Sequence, residues 1–181
     1  MGDAIAPIQL QVIGAALRLI AEEMGAVLIR SSFSANIKER RDCSTALFDE
    51  RGRMIAQAEH IPVHLGAMPD AVAAVMQLGL APGEVAFLND PYTGGTHLPD
   101  VTLVSRTRLG FAVSRAHHAD VGGIEPASLP AFSRTLAEEG VIVPPQRLTD
   151  DVLERFVSAT RQPEERRGDL RAQLAAHRLL R

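Results

Sequence analysis

The sequence predicts an α+β domain, with a mixed or antiparallel sheet that carries the functional residues, a long N-terminal helix and helices at the C-terminal end. Three observations predict it. Apolar residues recur at helical spacing through the first 31 residues, as Leu10, Ile13, Leu17, Ile20, Met24 and Val27. Two β-prone stretches folded about a turn, Ser44–Gln57 and Val101–Ala116, read as hairpins. Two further helical segments follow Thr149 and Pro163. At 181 residues a single domain spanning 1–181 is expected.

The first helix is expected over Ile8–Ser31, opened by Pro7, whose fixed φ and missing N–H suit a first helical position. Its stripe is expected to pack on the core, and a surface stripe could equally dock a partner subunit. Ser32–Cys43 is polar and reads as a connection, from which Asn36, Lys38, Glu39 or Arg40 could reach a site. The first hairpin turns at Asp49-Glu50-Arg51-Gly52. In the following His60-Ile61-Pro62-Val63-His64, Pro62 argues against a helix, and each His is expected to be a hydrogen-bonded loop or core residue before it is a ligand. A short helix is expected over Pro69–Leu78, stopped by Gly79, and Glu84–Leu88 reads as a strand that delivers Asn89-Asp90-Pro91 into a Gly-rich loop. Leu136–Gly140 is charged, with Glu138 and Glu139 expected on the solvated surface, and Val141–Val143 reads as a short strand. Thr149 or Asp150 caps a helix to about Thr160. The last helix carries Glu164 and Glu165 in its first turn, a charged face of Arg166, Arg167, Asp169 and Arg171, and an apolar face of Leu170, Leu174, Ala175 and Leu179. No stop signal precedes Arg181, which suits a helix that continues or meets a partner.

Composition excludes several classes. The chain is 46% hydrophobic and 23% charged, ordinary for a globular protein. A net charge of −3, no Trp and a single Tyr leave no footprint for nucleic acid. No apolar run reaches membrane-spanning length and the N-terminus lacks the order of a signal peptide. The lone Cys43 cannot form an internal disulfide, so a cytoplasmic location is expected.

The chemistry concentrates in Asn89–Gly123, NDPYTGGTHLPDVTLVSRTRLGFAVSRAHHADVGG. It contains the pattern His-x-x-Asp twice, as His97-Leu98-Pro99-Asp100 and His117-His118-Ala119-Asp120. The segment between them reads as two strands, Val101–Thr107 and Phe111–Ala116, joined near Leu109-Gly110. A hairpin would bring both units together, and imidazole with carboxylate is a common ligand set for Zn, Mn or non-haem Fe. His117 and His118 are adjacent, so an extended chain points them to opposite faces and at most one belongs to such a cluster. Gly94-Gly95 is no phosphate loop: no Gly-Lys-Ser/Thr follows, and no GxGxxG opens a helix. No local signature for ATP is present.

NIKERRDCSTALFDERGRMIAQAEHIPVHLGAMP, NDPYTGGTHLPDVTLVS, SRAHHADVGG, EEGVIVPP and PEERRGDLRAQLAA resemble, in this order, the hydantoinase B/oxoprolinase family. That family includes the B-type components of N-methylhydantoinases, the C-terminal half of 5-oxoprolinase and one component of acetone carboxylase. Its members are longer, so the resemblance is to an N-terminal portion, and the chain is short against the pattern near Thr107–Phe111 and Phe132–Thr135. The resemblance implies a B-type component of an ATP-dependent cyclic amidohydrolase that opens a hydantoin or 5-oxoproline ring. It would act with a hydantoinase A-type subunit, a hetero-oligomer in which ATP is used by the partner. By analogy with the acetone carboxylase branch, His97, Asp100 and His117 would hold a divalent metal. His117 is preferred to His118 because H-x-x-D-x-GG starts there. Asp120, His118, Asp90 and His64 are the further catalytic candidates. Asp120 would act as base or orient a ligand His. The alternatives are a carboxylase component and a non-catalytic fragment.

Overall fold

The structure is a computed structural model that describes residues 5–59, 61, 64, 66–126, 128 and 130–180. His60, Pro62 and Val63 lie outside the described residues. The chain is α+β, as expected. Helix α1 spans Pro7–Ser31 and α2 Ala35–Lys38; strands β1 (Cys43–Asp49) and β2 (Met54–Glu59) form the first hairpin. Helix α3 (Met68–Met76) precedes β3 (Val85–Leu88), and β4 (Asp100–Arg106) and β5 (Gly110–His117) form the second hairpin. Helix α4 (Leu136–Glu139), the two-residue β6 (Gln146–Arg147), α5 (Asp150–Ser158) and α6 (Pro163–His177) complete the order, with a 3₁₀ turn at Arg178–Leu180. The six strands form one sheet in the order β2-β1-β5-β4-β3-β6, and every neighbouring pair is antiparallel.

The period-2 alternation of the strands divides the sheet into two faces. On one, Leu47, Ala56, Ala112 and Ala116 meet Met24 and Leu28 of α1 and Ala172 and Ala176 of α6. The alanines matter here, because small side chains on strand and helix let both helices settle close to the sheet. Farther along this face Phe87 packs edge-on against Phe156 of α5, with ring centroids 5.1 Å apart. The other face is covered by α3, whose Ala71, Val72 and Val75 pack on Ala46, Phe48, Leu88, Val104 and Val113.

Three expectations are corrected. The α1 stripe reaches the core only in its C-terminal half: Met24 and Leu28 are buried, whereas Leu10 and Ile13 are 62% and 48% exposed. Val141–Val143 forms no strand. Its backbone is served by the amide of Asn89, which donates to Val141 O and accepts from Val143 N, and the strand falls instead at Gln146–Arg147. Leu136–Glu139 is a helical turn with Glu138 and Glu139 on its outer side, and Glu138 accepts hydrogen bonds from the N–H groups of Arg134 and Thr135. Arg166 and Asp169, expected on a charged surface, are both fully buried and paired at 3.1 Å. The buried carboxylate has a structural task, since its Oδ1 accepts from the backbone N–H of Phe33 and Ser34 and ties α6 to the α1–α2 connection.

Candidate metal centre

The second hairpin positions the site. Asp100 is directly opposite His117 in the β4–β5 register, and the next pair on the same face is Thr102 with Arg115. This places an imidazole and a carboxylate side by side at the open end of the hairpin. The loop before β4 then folds back so that His97, three residues before Asp100, meets the same point. His97 Nε2 lies 2.8 Å from Asp100 Oδ1, His117 Nδ1 lies 3.1 Å from that oxygen, and the two ring nitrogens are 3.1 Å apart. Asp100 is 2% exposed, and both histidines are partly buried.

Hydrogen bonds alone satisfy this triangle poorly. Two ring N–H groups can each serve the carboxylate oxygen, but the third edge is then one donor facing another. A single cation facing all three atoms uses three lone pairs at once. Two histidines and one carboxylate on adjacent corners also match the facial arrangement common to non-haem Fe and related divalent sites. The donor set therefore fits a metal, and among the described residues His97, Asp100 and His117 have ligand atoms clustered tightly enough to hold one.

The electrostatics agree. Burial alone would push the Asp100 carboxyl upward, but the hydrogen bond from His117, the nearby His64 ring and the hydrogen bond from His97 outweigh it and hold the group far below the carboxylate range. It is an anion at any ordinary pH. The hydrogen bond to Asp100 pushes the His97 pKa up, against burial. Thr96 Oγ1 donates to the other Asp100 oxygen at 2.5 Å, which fixes the rotation of the carboxylate.

His64 is buried and adjacent. Its Nε2 is 3.6 Å from Asp100 Oδ2 and 3.7 Å from Asp42 Oδ1, and its Nδ1 shares a 3.0 Å hydrogen bond with Ser44 Oγ. The other candidates are elsewhere. His118 points to the opposite face, as strand alternation requires, with Nε2 3.0 Å from Gln173 Oε1 of α6. Complete burial, with Arg166 nearby, pushes its pKa down to about 4, so it is a neutral core imidazole. Asp120 accepts from the N–H groups of Gly122 and Arg161 and pairs with the Arg161 guanidinium at 3.1 Å. Among the described residues no hydrogen bond joins it to His97, His117 or Asp100. Asp90 accepts from Tyr92 N through Oδ1 and from Thr93 N and Gly95 N through its carbonyl, shaping the Gly-rich loop.

Residues that sequence reasoning passed over also frame the site. Asp42 accepts the His117 N–H through its carbonyl, and its carboxylate charge acts on His97. Arg115 is fully buried on the same face as Asp100 and His117; Nε donates to Thr102 Oγ1 at 2.8 Å and Nη2 to Gly94 O at 2.9 Å. It clamps the loop that carries His97 to the strands that carry Asp100 and His117. The available signal was the period of two: Arg115 and His117 share a strand face. Cys43, next to Asp42, is buried and its thiol is pushed up to about 12, chiefly by burial, so it is no nucleophile.

The fold and site define an α+β domain that presents a two-histidine, one-aspartate cluster at the end of a β-hairpin. Residues 6–181 match the family model described as hydantoinase B/oxoprolinase, and the chain belongs to that family. It is 40% identical over 185 residues to a 5-oxoprolinase of Dictyostelium discoideum, covering 94% of this chain and 15% of that protein. It is 32% identical over 197 residues to the B-type component of a putative D-/L-hydantoinase of Pseudomonas sp. (strain NS671), covering 97% of this chain and 33% of that one. The crystal structure of the ATP-dependent caprolactamase from Pseudomonas jessenii superposes with a TM-score of 0.88 at 31% identity, over 96% of this chain and 32% of the caprolactamase chain. The chain thus spans between about one seventh and one third of the length of these relatives.

Proposed function

We propose that this chain is the metal-binding part of a B-type component of an ATP-dependent cyclic amidohydrolase, with a hydantoin, 5-oxoproline or a similar lactam as substrate. The observation that carries the reading is the triangle of His97, Asp100 and His117, built by strand register inside a family whose relatives include 5-oxoprolinase, a putative hydantoinase component and a caprolactamase. Such a component works with an A-type subunit, which spends ATP to activate the amide oxygen of the ring. No segment of this chain has a nucleotide-binding signature of its own.

His97, Asp100 and His117 would hold a divalent ion of the Zn, Mn or Fe type. When bound, the ion supplies a Lewis acid that polarises oxygen and lowers the pKa of water. The chain's own residues do the rest. Thr96 and Arg115 hold Asp100 and the His97 loop in place. His64 Nε2, facing two carboxylates from 3.6 and 3.7 Å, is the atom suited to hold a proton and to give it up as the ring opens. Ser44 Oγ fixes the orientation of that ring. His118 and Asp120 serve the framework, and Asp90 shapes the loop beside the cluster.

The test is metal analysis of the purified protein beside His97→Ala and His117→Ala. One equivalent of metal in the parent, lost in both variants, is the expected result. A folded parent without metal affinity would refute the reading. Ring opening is then assayed with an A-type subunit, ATP and 5-oxoproline or hydantoin, and His64→Gln is expected to retain metal while losing about 100-fold or more in turnover.

A further inference from the structure

Helix α6 reaches the ligand-bearing corner of the sheet from behind. Asp100 and His117 share the sheet face of Val104 and Val113, which α3 covers. The residues that follow them, Val101 and His118, therefore face the other way. On that far face one side chain serves both. Gln173 Nε2 donates to Val101 O at 3.1 Å, and Gln173 Oε1 accepts from His118 Nε2 at 3.0 Å. The same amide nitrogen lies 3.4 Å from Ser114 O and 3.3 Å from Ser114 Oγ. Gln173, Ser114 and His118 are all fully buried.

An apolar side chain would fill this space, as Leu170 and Ala176 of the same helix do nearby. What the amide adds is direction. A carbonyl oxygen only accepts, so the amide nitrogen must face Val101, which leaves the amide oxygen for the His118 N–H. The two ends of one rigid group thereby set how far β4 stands from the chain just past β5. Pro99 O ties the same corner through the main chain, accepting from Val101 N and His118 N at 2.9 and 2.8 Å. Gln173 adds the tie from this corner to a helix. One turn later on α6, His177 Nε2 lies 2.9 Å from Ser114 Oγ and its Nδ1 2.6 Å from Ser105 Oγ. Ser105 is on β4 as well, but it flanks none of the three ligand candidates.

We propose that Gln173 is a positioning residue of the metal centre. It lies on the far face from the cluster and fixes the separation of Asp100 and His117 by holding the residue after each. This inference rests on the metal reading above and deepens it. Asp100 and His117 are cross-strand partners whose ligand atoms are 3.1 Å apart, so a change in strand spacing at this corner moves those atoms directly. Donor atoms that must all sit about 2.0–2.2 Å from one ion tolerate little such drift. Partners behind the ligands orient them and tune what they bind.

The experiment uses the 181-residue chain with Zn and Co ions as probes. Gln173→Met keeps the volume and removes both hydrogen bonds. Gln173→Asn keeps an amide, one methylene short of its two partners, and decides the matter if the Met variant does not fold. Calorimetric titration is expected to show Zn binding about 10- to 100-fold weaker in both. The visible absorption of bound Co is expected to shift as well, because the spacing of its ligands has changed. Ser105→Ala is the control, since it removes a 2.6 Å contact between the same helix and the same strand. It is expected to lower the melting temperature while leaving Zn affinity and the Co spectrum at the parent's values. Parent-like affinity and spectrum in a folded Gln173 variant would overturn the proposal. An equal loss in Ser105→Ala would also overturn it, and would assign the effect to general loosening of α6. A folded parent that binds no metal would overturn the metal reading itself, and this inference with it.

Discussion

Arg115 shows how much a single side chain does at this site. Its guanidinium is fully buried, and two of its nitrogens are spent on Thr102 and on the Gly94 carbonyl. The planar fork bridges a strand and a loop, a geometry that a lysine ammonium cannot reproduce. Arg115→Lys is therefore expected to keep the fold while freeing the loop that carries His97. Groups that orient metal ligands typically contribute about 10- to 100-fold in affinity. Titration calorimetry with Zn or Mn should show a loss of that size, and an unchanged affinity would mean the loop is held by other contacts. Sequence alone did not single out Arg115, because a guanidinium acts through what it reaches and its partners were not readable from spacing. The repeated His-x-x-Asp across a hairpin was readable as a cluster of residue types, while the choice of His97, Asp100 and His117 within it came from the family resemblance. Asp120 completes the second copy of that pattern, yet the structure gives its carboxylate to Arg161 and Gly122. The motif marked the residue without revealing its partner, which lies 41 positions away.

At the scale of elements, two joints carry the architecture. The first is the Gly-rich loop. Gly94 has a φ of +98°, and a Cβ added there would come within 2.7 Å of Ala71 Cα, at the start of α3. Gly94→Ala combines backbone strain with a clash against main chain that cannot move aside. It is expected to cost about 2–3 kcal/mol and to displace the loop carrying His97, lowering metal affinity together with the urea midpoint. The second joint is Asp169, which holds Phe33 N and Ser34 N and pairs with buried Arg166. Burial acts to raise its carboxyl, but the His118 ring, which becomes charged only in acid, and the hydrogen bonds from Phe33 and Ser34 outweigh it, so its pKa is below the ordinary 3.8. A carboxyl depressed in the folded state adds stability that is complete above its unfolded value and is lost as pH falls through the folded one. Asp169→Asn should therefore destabilise the protein at neutral pH, by about 3–5 kcal/mol as expected for breaking a buried ion pair. The parent's urea midpoint should converge on the variant's as pH drops below about 3.8; parallel curves throughout would show that Asp169 does not titrate with folding. The expected surface position of Arg166 and Asp169 failed because helical spacing reports which residues share a face. It cannot report that the opposite face also meets a neighbour, here the connection after α1. The hairpins were legible because their alternation and turn glycines are local, with Gly52 at φ +74° in the first turn. The Val141–Val143 strand was not, because the Asn89 amide replaces the missing neighbour from 52 and 54 positions away.

For the molecule as a whole, an ion held by His97, Asp100 and His117 would stabilise the fold without any partner or substrate. The three ligand atoms come from a loop and from two strands at the middle of the sheet, so a bound ion cross-links segments that unfolding separates. An ion that binds the folded chain and ignores the unfolded one stabilises by mass action, about 2.7 kcal/mol at a concentration 100 times its dissociation constant. For a domain of this size each kcal/mol moves the melting temperature by about 2–4 °C. Saturating Zn or Mn is therefore expected to raise the melting temperature of metal-stripped protein by about 5–11 °C, measured by calorimetry. Ca, which prefers six to eight oxygen ligands, should do far less at a site with two imidazoles. His117→Ala should abolish the shift, whereas Val12→Glu, at an exposed position of α1, should leave it intact. A shift of equal size in the parent and in His117→Ala would place the ion elsewhere and remove the basis for assigning this cluster to chemistry. A shift confined to chains with all three ligands would show that the cluster is formed within these 181 residues.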